Sequence, residues 1–551
     1  MTLRRLYLYL VSAAGLALLA AGLSLLGATV LLFVFNDNSA QYSRTQLAGF
    51  TAMTLVALPV WGVHFWFAQR FAKRDRQERA SAIRRLYLYW ACLVMSIAAM
   101  VALALAISGL LRPVLDNQTL NGLTTAQEGW AALVFVAIWA FHFRIATSDR
   151  AAVGEEGASA TLRRWYMYIA LLVGVLVMLS GTSTLLQNAW TRLVLGSPPQ
   201  NLYLADPAGQ ALAGLLLWGF HARTIAQHHV SDDRHSTLRA TEGFIVVGVG
   251  IVTALVGASQ ILYYGLARAL DVSSPGRVTN DLLAAVAMPG SLLLVYGVAW
   301  ILERRRLARD AGTQEADRQA GMRRLYTNLA SLVSLGAAAI GAGGLLWTLA
   351  EQIEAPLIGV NAADWKDPVS LWATLLVVGA VVWLTHWRHA PWAADRQSLS
   401  RRLYVWAALL ASVLVLVGAG VGMVYALLSQ LFSANPKLND SANLGFGHYL
   451  AVIVVAVIVG VYHWRVLRAD AAARPPKPEA APAPAPAPAP AIAAVTTTPT
   501  PAPAPAVEIP DDHSRRYVLS VTDATEDDVH TALANLPPHA SYKLTPSEQA
   551  S

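Results

Sequence analysis

The chain alternates between long apolar runs and short polar connections. The run "LYLYLVSAAGLALLAAGLSLLGATVLLFVF" at 6–35 carries no charge over 30 residues, more than the roughly 20 that a helix needs to cross a bilayer. Further apolar segments fall at 48–69, 86–111, 129–147, 165–187, 209–226, 242–267, 280–302, 325–350, 370–387, 403–433 and 447–464. This pattern predicts an all-α integral membrane protein with twelve transmembrane helices.

Composition agrees: 55% of the 551 residues are hydrophobic and only 14% are charged. A soluble domain could not hide so many apolar segments. The first run is too long for a signal-peptide core and reads as retained. The single cysteine, Cys92, lies in an apolar helix, forms no internal disulfide and reads as a packing residue.

The net charge of +7 changes the picture only through its distribution. Basic residues gather in every second connection: Arg70, Lys73, Arg74, Arg76 and Arg79, then Arg144 and Arg150, then Arg223 and Arg234. Arg304, Arg305, Arg306, Arg309 and Arg318 follow, then Arg388 with Arg396 and Arg465 with Arg468. The alternate connections hold one or two each, such as Arg44, Arg112, Arg192, Lys366 and Lys437. The positive-inside rule then places both termini in the cytoplasm, in the inner membrane of a cell. The basic side would meet anionic lipid headgroups, and nothing reads as a nucleic-acid site.

The chain is internally repeated. "RRLYLYL" at 4–10 returns as "RRLYLYW" at 84–90, "RRWYMYI" at 163–169, "RRLYTNL" at 323–329 and "RRLYVWA" at 401–407. With Arg239 in a weaker copy, the first arginine recurs about every eighty residues. A second signature, W-x-x-H-x-R, tracks it near the end of each returning helix: "WGVHFW" at 61–66, "WAFHFR" at 139–144, "WGFHAR" at 218–223, "WLTHWR" at 383–388 and "GVYHWR" at 460–465. Six parallel-oriented two-helix hairpin repeats are therefore expected, at 1–79, 80–158, 159–234, 235–318 (degenerate), 319–396 and 397–468.

The arginines and tyrosines at the hairpin starts are Arg4, Arg5, Tyr7 and Tyr9; Arg84, Arg85, Tyr87 and Tyr89; and Arg163, Arg164, Tyr166 and Tyr168. Arg323, Arg324 and Tyr326, then Arg401, Arg402 and Tyr404, complete the set. Their places at the cytoplasmic start of each helix favour guanidinium contact with lipid phosphates and an aromatic belt about a turn deeper. A lipid or anionic-ligand site between hairpins is the sharper alternative.

The histidines His64, His142, His221, His386 and His463 form a layer at the same end. Topology makes a tyrosine hydroxyl of the hairpin's first helix the natural partner for each imidazole. The fourth unit departs at both ends, with Ala240 and Glu242 replacing Arg and Tyr, and Ala299 replacing His. The histidines lie one per hairpin, without the paired spacing or carboxylates of a metal site, so no metal or haem is expected.

No carboxylate falls at mid-span; Glu128, Glu242, Glu303 and Glu351 all lie at ends, which weakens an ion-coupled transporter. Gln260 and Asn328 read as helix-to-helix hydrogen bonders. The glycine sets "GAAAIGAGG" at 336–344 and "GAGVG" at 418–422 read as close helix packing rather than phosphate loops.

Residues 469–511 form a Pro/Ala-rich spacer, and 512–551 a short cytoplasmic segment. Within it "YVLSV" at 517–521 and "ASYKL" at 540–544 suggest strands, and "TEDDVHTALANL" at 525–536 a capped helix. So short a segment is expected to be disordered or to order on a protein partner.

The Arg-Arg-Leu-Tyr-x-Tyr start followed by a long helix, repeated over about 1–468, resembles the bacterial membrane family known as domain of unknown function 5671. The resemblance implies an integral membrane protein of bacterial type and supplies no activity, cofactor or catalytic residue. The expected function is a non-enzymatic scaffold or sensor displaying its tail. A transporter or channel with a path between hairpins is the alternative.

Overall fold

The computed structural model describes residues 2–35, 40–195, 202–229, 233–234, 236–275, 281–311, 317–357, 361–387, 396–432 and 446–473. The strands and helix read from the tail lie outside the described residues, as do Arg388 and Lys437.

The charge-free runs form helices because each residue's backbone polar groups are satisfied within its own segment, the requirement for crossing hydrocarbon. They are α1 Thr2–Val34, α2 Ala40–Arg74, α4 Ala82–Leu115, α5 Gly122–Val153, α6 Gly157–Val194, α7 Ala205–His228 and α8 Thr237–Ala269. The series continues with α10 Ala287–Ala311, α11 Asp317–Leu357, α12 Lys366–Trp387, α13 Leu399–Phe432 and α14 Phe446–Ala472. Two short helices intervene, α3 Arg76–Ala80 and α9 Leu282–Ala285.

Among the described residues, eleven helical segments are long and apolar enough to cross a membrane. Each of the twelve apolar segments of the sequence falls largely within helix. The eleven leave out α7, whose hydropathy is lowered by Asp206, Gln210, His221 and Arg223. The segment read as 280–302 is α9 followed directly by α10.

The helices outrun the apolar segments that announced them. At 34 residues for α4 and 38 for α6, they reach about 50–57 Å at ~1.5 Å per residue, against roughly 30 Å of hydrocarbon. The surplus carries the Arg-Arg motif on the first turns of the leading helices and the acid-bearing ends of the returning ones.

Consecutive helices pair most extensively: α1 with α2, α4 with α5, α6 with α7, α8 with α10, α11 with α12 and α13 with α14. Between pairs one rule holds throughout. The leading helix of each pair packs on the returning helix of the next: α1 on α5, α4 on α7, α6 on α10, α8 on α12 and α11 on α14. The six pairs follow one another in chain order through a repeated head-to-tail contact.

Glycines set the approach inside pairs. A Cβ on Gly174 would lie 2.6 Å from the Trp218 nitrogen, and one on Gly214 would lie 2.5 Å from the Met178 nitrogen, so α6 and α7 meet backbone to backbone. Gly341 and Gly379 do the same for α11 and α12. In "GAGVG" only Gly422 faces a neighbour, the ring of Tyr449, while Gly418 and Gly420 face open space.

The end away from the Arg-Arg motifs has its own clamp. The Asp116 carboxylate accepts the Leu204 and Ala205 backbone N–H groups at 2.7 and 2.9 Å, and Arg192 Nη2 at 2.6 Å. A carboxylate from the end of α4 thus caps α7. Burial would raise its pKa, but these donors outweigh it and hold Asp116 below the ordinary carboxylate value.

Candidate functional site

The repeated residues converge at one end of the helix pairs, in two linked layers. The deeper layer is aromatic. Tyr87, on the second turn of α4, has its hydroxyl 3.1 Å from His142 Nε2 on α5 and accepts Trp61 Nε1 of α2 at 3.0 Å. Tyr166 repeats this with His221 at 2.9 Å and Trp139 at 3.0 Å. Tyr404 repeats it with His463 and Trp383, both at 2.9 Å. In each case the histidine comes from the tyrosine's own pair and the tryptophan from the pair before.

The protonation pattern follows from the helix. His142, His221 and His463 each have Nδ1 2.8 Å from the carbonyl four residues earlier, Ile138, Leu217 and Val459. A carbonyl only accepts, so Nδ1 carries the hydrogen and Nε2 offers its lone pair to the tyrosine O–H. The tyrosine oxygen is then free to accept the indole N–H. Every polar atom of the triad is satisfied with the imidazole neutral, which burial demands. His142, His221 and His463 are fully buried.

At the first pair Tyr7 lies 3.2 Å from His64 Nε2 and is 59% exposed. In the fifth pair Tyr326 and His386 meet edge to face, with ring centroids 5.9 Å apart.

The outer layer is ionic. Arg84 Nε bonds Asp149 at 2.7 Å, while its Nη1 donates to Tyr9 of the previous pair at 3.1 Å and its Nη2 to Gln69 at 2.9 Å. Arg5 pairs with Glu78 at 2.9 Å, beside Arg4 on the same carboxylate. Arg163 and Arg164 share Asp233, at 3.1 and 2.7 Å, and Tyr168 donates to its other oxygen at 3.2 Å. Glu155 accepts Tyr89 and lies between Arg85 at 3.6 Å and Arg163 at 3.1 Å. Arg239 pairs with Asp310, and Arg401 with Asp470, each at 2.7 Å.

This corrects the expectation that these arginines and tyrosines face headgroups. Arg84, Arg85, Arg163, Tyr9, Tyr87, Tyr89, Tyr166, Tyr168 and Tyr404 are all buried. A carboxylate at or just beyond the end of the returning helix stands at the level of the motif, and a fixed partner inside the protein takes the place of a mobile phosphate. Arg4, Tyr7 and Arg402 stay exposed; Arg5, Arg164, Arg323, Arg324, Tyr326 and Arg401 are half-buried. Of the isolated polar residues, Asn328 bonds the Arg324 carbonyl of its own helix at 2.8 Å and reaches Ser400 across to α13 at 3.3 Å.

Two features went unread in the sequence. One is the reach of Trp61, Trp139 and Trp383 into the next pair. The other is the acid that follows the first arginine by 65 to 74 residues, as Glu78, Asp149, Asp233, Asp310 and Asp470. That spacing is a third repeated signal, visible once the acids are counted alongside the bases.

The fourth pair replaces the triad with charge. Glu242, at the tyrosine position, takes Arg306, whose Nε lies 2.7 Å from Glu303. With Ala299 in place of histidine and Tyr296 in place of tryptophan, this pair supplies no Trp–Tyr–His triad.

A cavity of about 440 Å³ opens at the same end between the second and third pairs, floored by Tyr166 and Met167 and bordered by Arg150, Arg163, Arg223 and His229.

Long apolar helices in successive pairs, tied at one end by buried triads and ion pairs, define a tandemly repeated multi-pass membrane protein. Residues 5–132, 118–211, 203–292 and 324–448 match the family described as domain of unknown function DUF5671. The matches cover well over half of the chain, which belongs to that family. Two of them begin at the second arginine of the motif, at 5 and 324. No curated protein and no solved structure matches the chain.

Proposed function

We propose that the protein is a non-enzymatic scaffold or sensor, built from six parallel hairpins with twelve spans and displaying residues 469–551 to a cytoplasmic protein partner. The observation that carries this reading is the Trp–Tyr–His triad. Each triad ties the leading helix of one hairpin to its own returning helix and to the hairpin before. Fully satisfied buried networks of this kind hold neighbouring elements in one arrangement. The distribution of Arg and Lys supports cytoplasmic termini and an inner membrane, with anionic lipids around the basic end.

A second reading, a transporter or channel, is favoured by the fourth pair. There the triad is missing, and a buried ion pair of Glu242 with Arg306 stands in its place near the start of a helix apolar enough to span the membrane. The comparison that separates the two uses the full chain and a chain ending at Ala473, both in proteoliposomes. The scaffold reading expects no flux of protons, alkali cations or small anions above empty vesicles, and partner recruitment that depends on the tail. Flux that persists without the tail would overturn it.

A further inference from the structure

The cavity between the second and third pairs has walls of two kinds. Its mouth holds Arg150 near the end of α5 and Arg223 on α7, with His228 beside them; its inner wall holds Phe143, Phe220 and Tyr166. Among the described residues no carboxylate lines it. The nearby acids are already engaged, because Asp233 holds Arg163 and Arg164 while Glu155 lies between Arg85 and Arg163. Among the described residues the lining holds three guanidinium groups, of which Arg163 is taken by Asp233 and Glu155, while Arg150 and Arg223 stand at the cavity without a lining carboxylate.

Arg150 is also aimed. Its Nη1 donates to His229 Nε2, which fixes the guanidinium at the cavity edge. Burial first, and then Arg163 and Arg150, push the His229 pKa down to about 4. The ring is neutral at physiological pH and accepts from Arg150 instead of repelling it. The volume of about 440 Å³ lies within the range of small-molecule sites.

We propose that this cavity binds a phosphate-bearing anion, with Arg150 and Arg223 on the phosphate oxygens. The apolar wall of Phe143, Phe220 and Tyr166 suits the glycerol and first acyl carbons of an anionic phospholipid. A free phosphate shares the anionic half of that chemistry only. The lipid assignment rests on the reading that this end of the protein lies at the cytoplasmic headgroup level; anion binding in detergent does not.

The test is native mass spectrometry of the full detergent-purified chain with short-chain phosphatidylglycerol, phosphatidylcholine or inorganic phosphate added separately. Phosphatidylglycerol should be retained at least tenfold better than phosphatidylcholine, and Arg150→Gln with Arg223→Gln should abolish that preference. Arg144→Gln, at the same motif position as Arg223 one hairpin earlier and outside the cavity lining, should leave it intact. Arg223 is exposed, so Arg223→Gln alone gives a folded variant that should lose several-fold in retention. Retention of inorganic phosphate equal to that of the lipid would keep the anion site and overturn the lipid assignment. Wild-type retention by the double variant, or equal loss in Arg144→Gln, would overturn the site. Cysteine labelling around Arg76 tests the orientation separately.

Discussion

Trp61 and Tyr87 belong to different helix pairs, yet the indole nitrogen of one lies 3.0 Å from the hydroxyl of the other. The same hydroxyl serves His142 from its other side. Tyr87→Phe removes the partner of two buried groups at once, and each orphaned group costs about 1–3 kcal/mol. Thermal unfolding in detergent should show a clear drop for Tyr87→Phe and almost none for the exposed Tyr7→Phe. Equal effects would mean that the inter-pair bond contributes nothing.

Arg84 and Asp149 form a buried pair, with Arg79 on the other oxygen of the same carboxylate at 3.0 Å. Arg84→Met leaves Asp149 with Arg79 alone and takes the donor from Tyr9 and Gln69, so it should lower the unfolding temperature and the membrane yield, whereas Arg84→Met with Asp149→Leu should recover part of the loss. A double-mutant cycle on unfolding temperature measures the coupling. The double substitution of Arg84 and Arg85 to Ala should reduce accumulation further, because both side chains are buried.

Gly174 lets α6 and α7 touch. Gly174→Ala should destabilise by about 1–3 kcal/mol through forced separation of the two backbones. Gly219, on the same α7, has open space around it, so Gly219→Ala should be neutral or slightly stabilising. Unfolding temperatures of the two variants decide this directly.

Acid should loosen the junction between the second and third pairs. The folded pKa of His229, at about 4, lies below its ordinary value near 6.5, so the neutral ring is stabilising above that value. This contribution is lost as pH falls from about 6.5 towards 4. Asp233 is also held down: burial raises its pKa, but the Arg164 and Arg163 contacts outweigh that. Its share is lost only below the ordinary carboxylate value. The unfolding temperature should therefore fall between pH 7.5 and pH 5, and His229→Gln should flatten that fall.

The end of α14 sets where the chain can be cut. Asp470 holds Arg401 at 2.7 Å, so a chain ending at Ala473 should unfold like the full chain. A chain ending at Ala469 should unfold earlier. Size-exclusion profiles and melting curves of the two truncations distinguish them.

Much of this was legible in the letters. Apolar runs marked the helices, the eighty-residue period marked the pairs, and equal helix ends placed Tyr87 and His142 at one level. What the letters left out was neighbourhood. Arg84 at a helix start looks the same whether it meets a lipid phosphate or Asp149, because periodicity fixes level and face but not the partner. Trp139 likewise fits an aromatic belt until Tyr166 is seen in contact with it. The acids carried the missing signal, but a count of positive charge passes over them. The glycines divide for the same reason, since Gly341 and Gly343 differ only in what stands opposite.

The contact between successive pairs has a consequence for assembly. A contact that runs from each unit to its successor is of the heterologous kind, which builds a ring or an open filament according to the rotation between units. In the sixth unit the forward-reaching indole is gone, and Gly460 stands in its place. The fourth unit lacks the indole as well, with Tyr296 at that position, yet a fifth unit packs on it, so the leading-on-returning helix contact joins successive units even where the triad is missing.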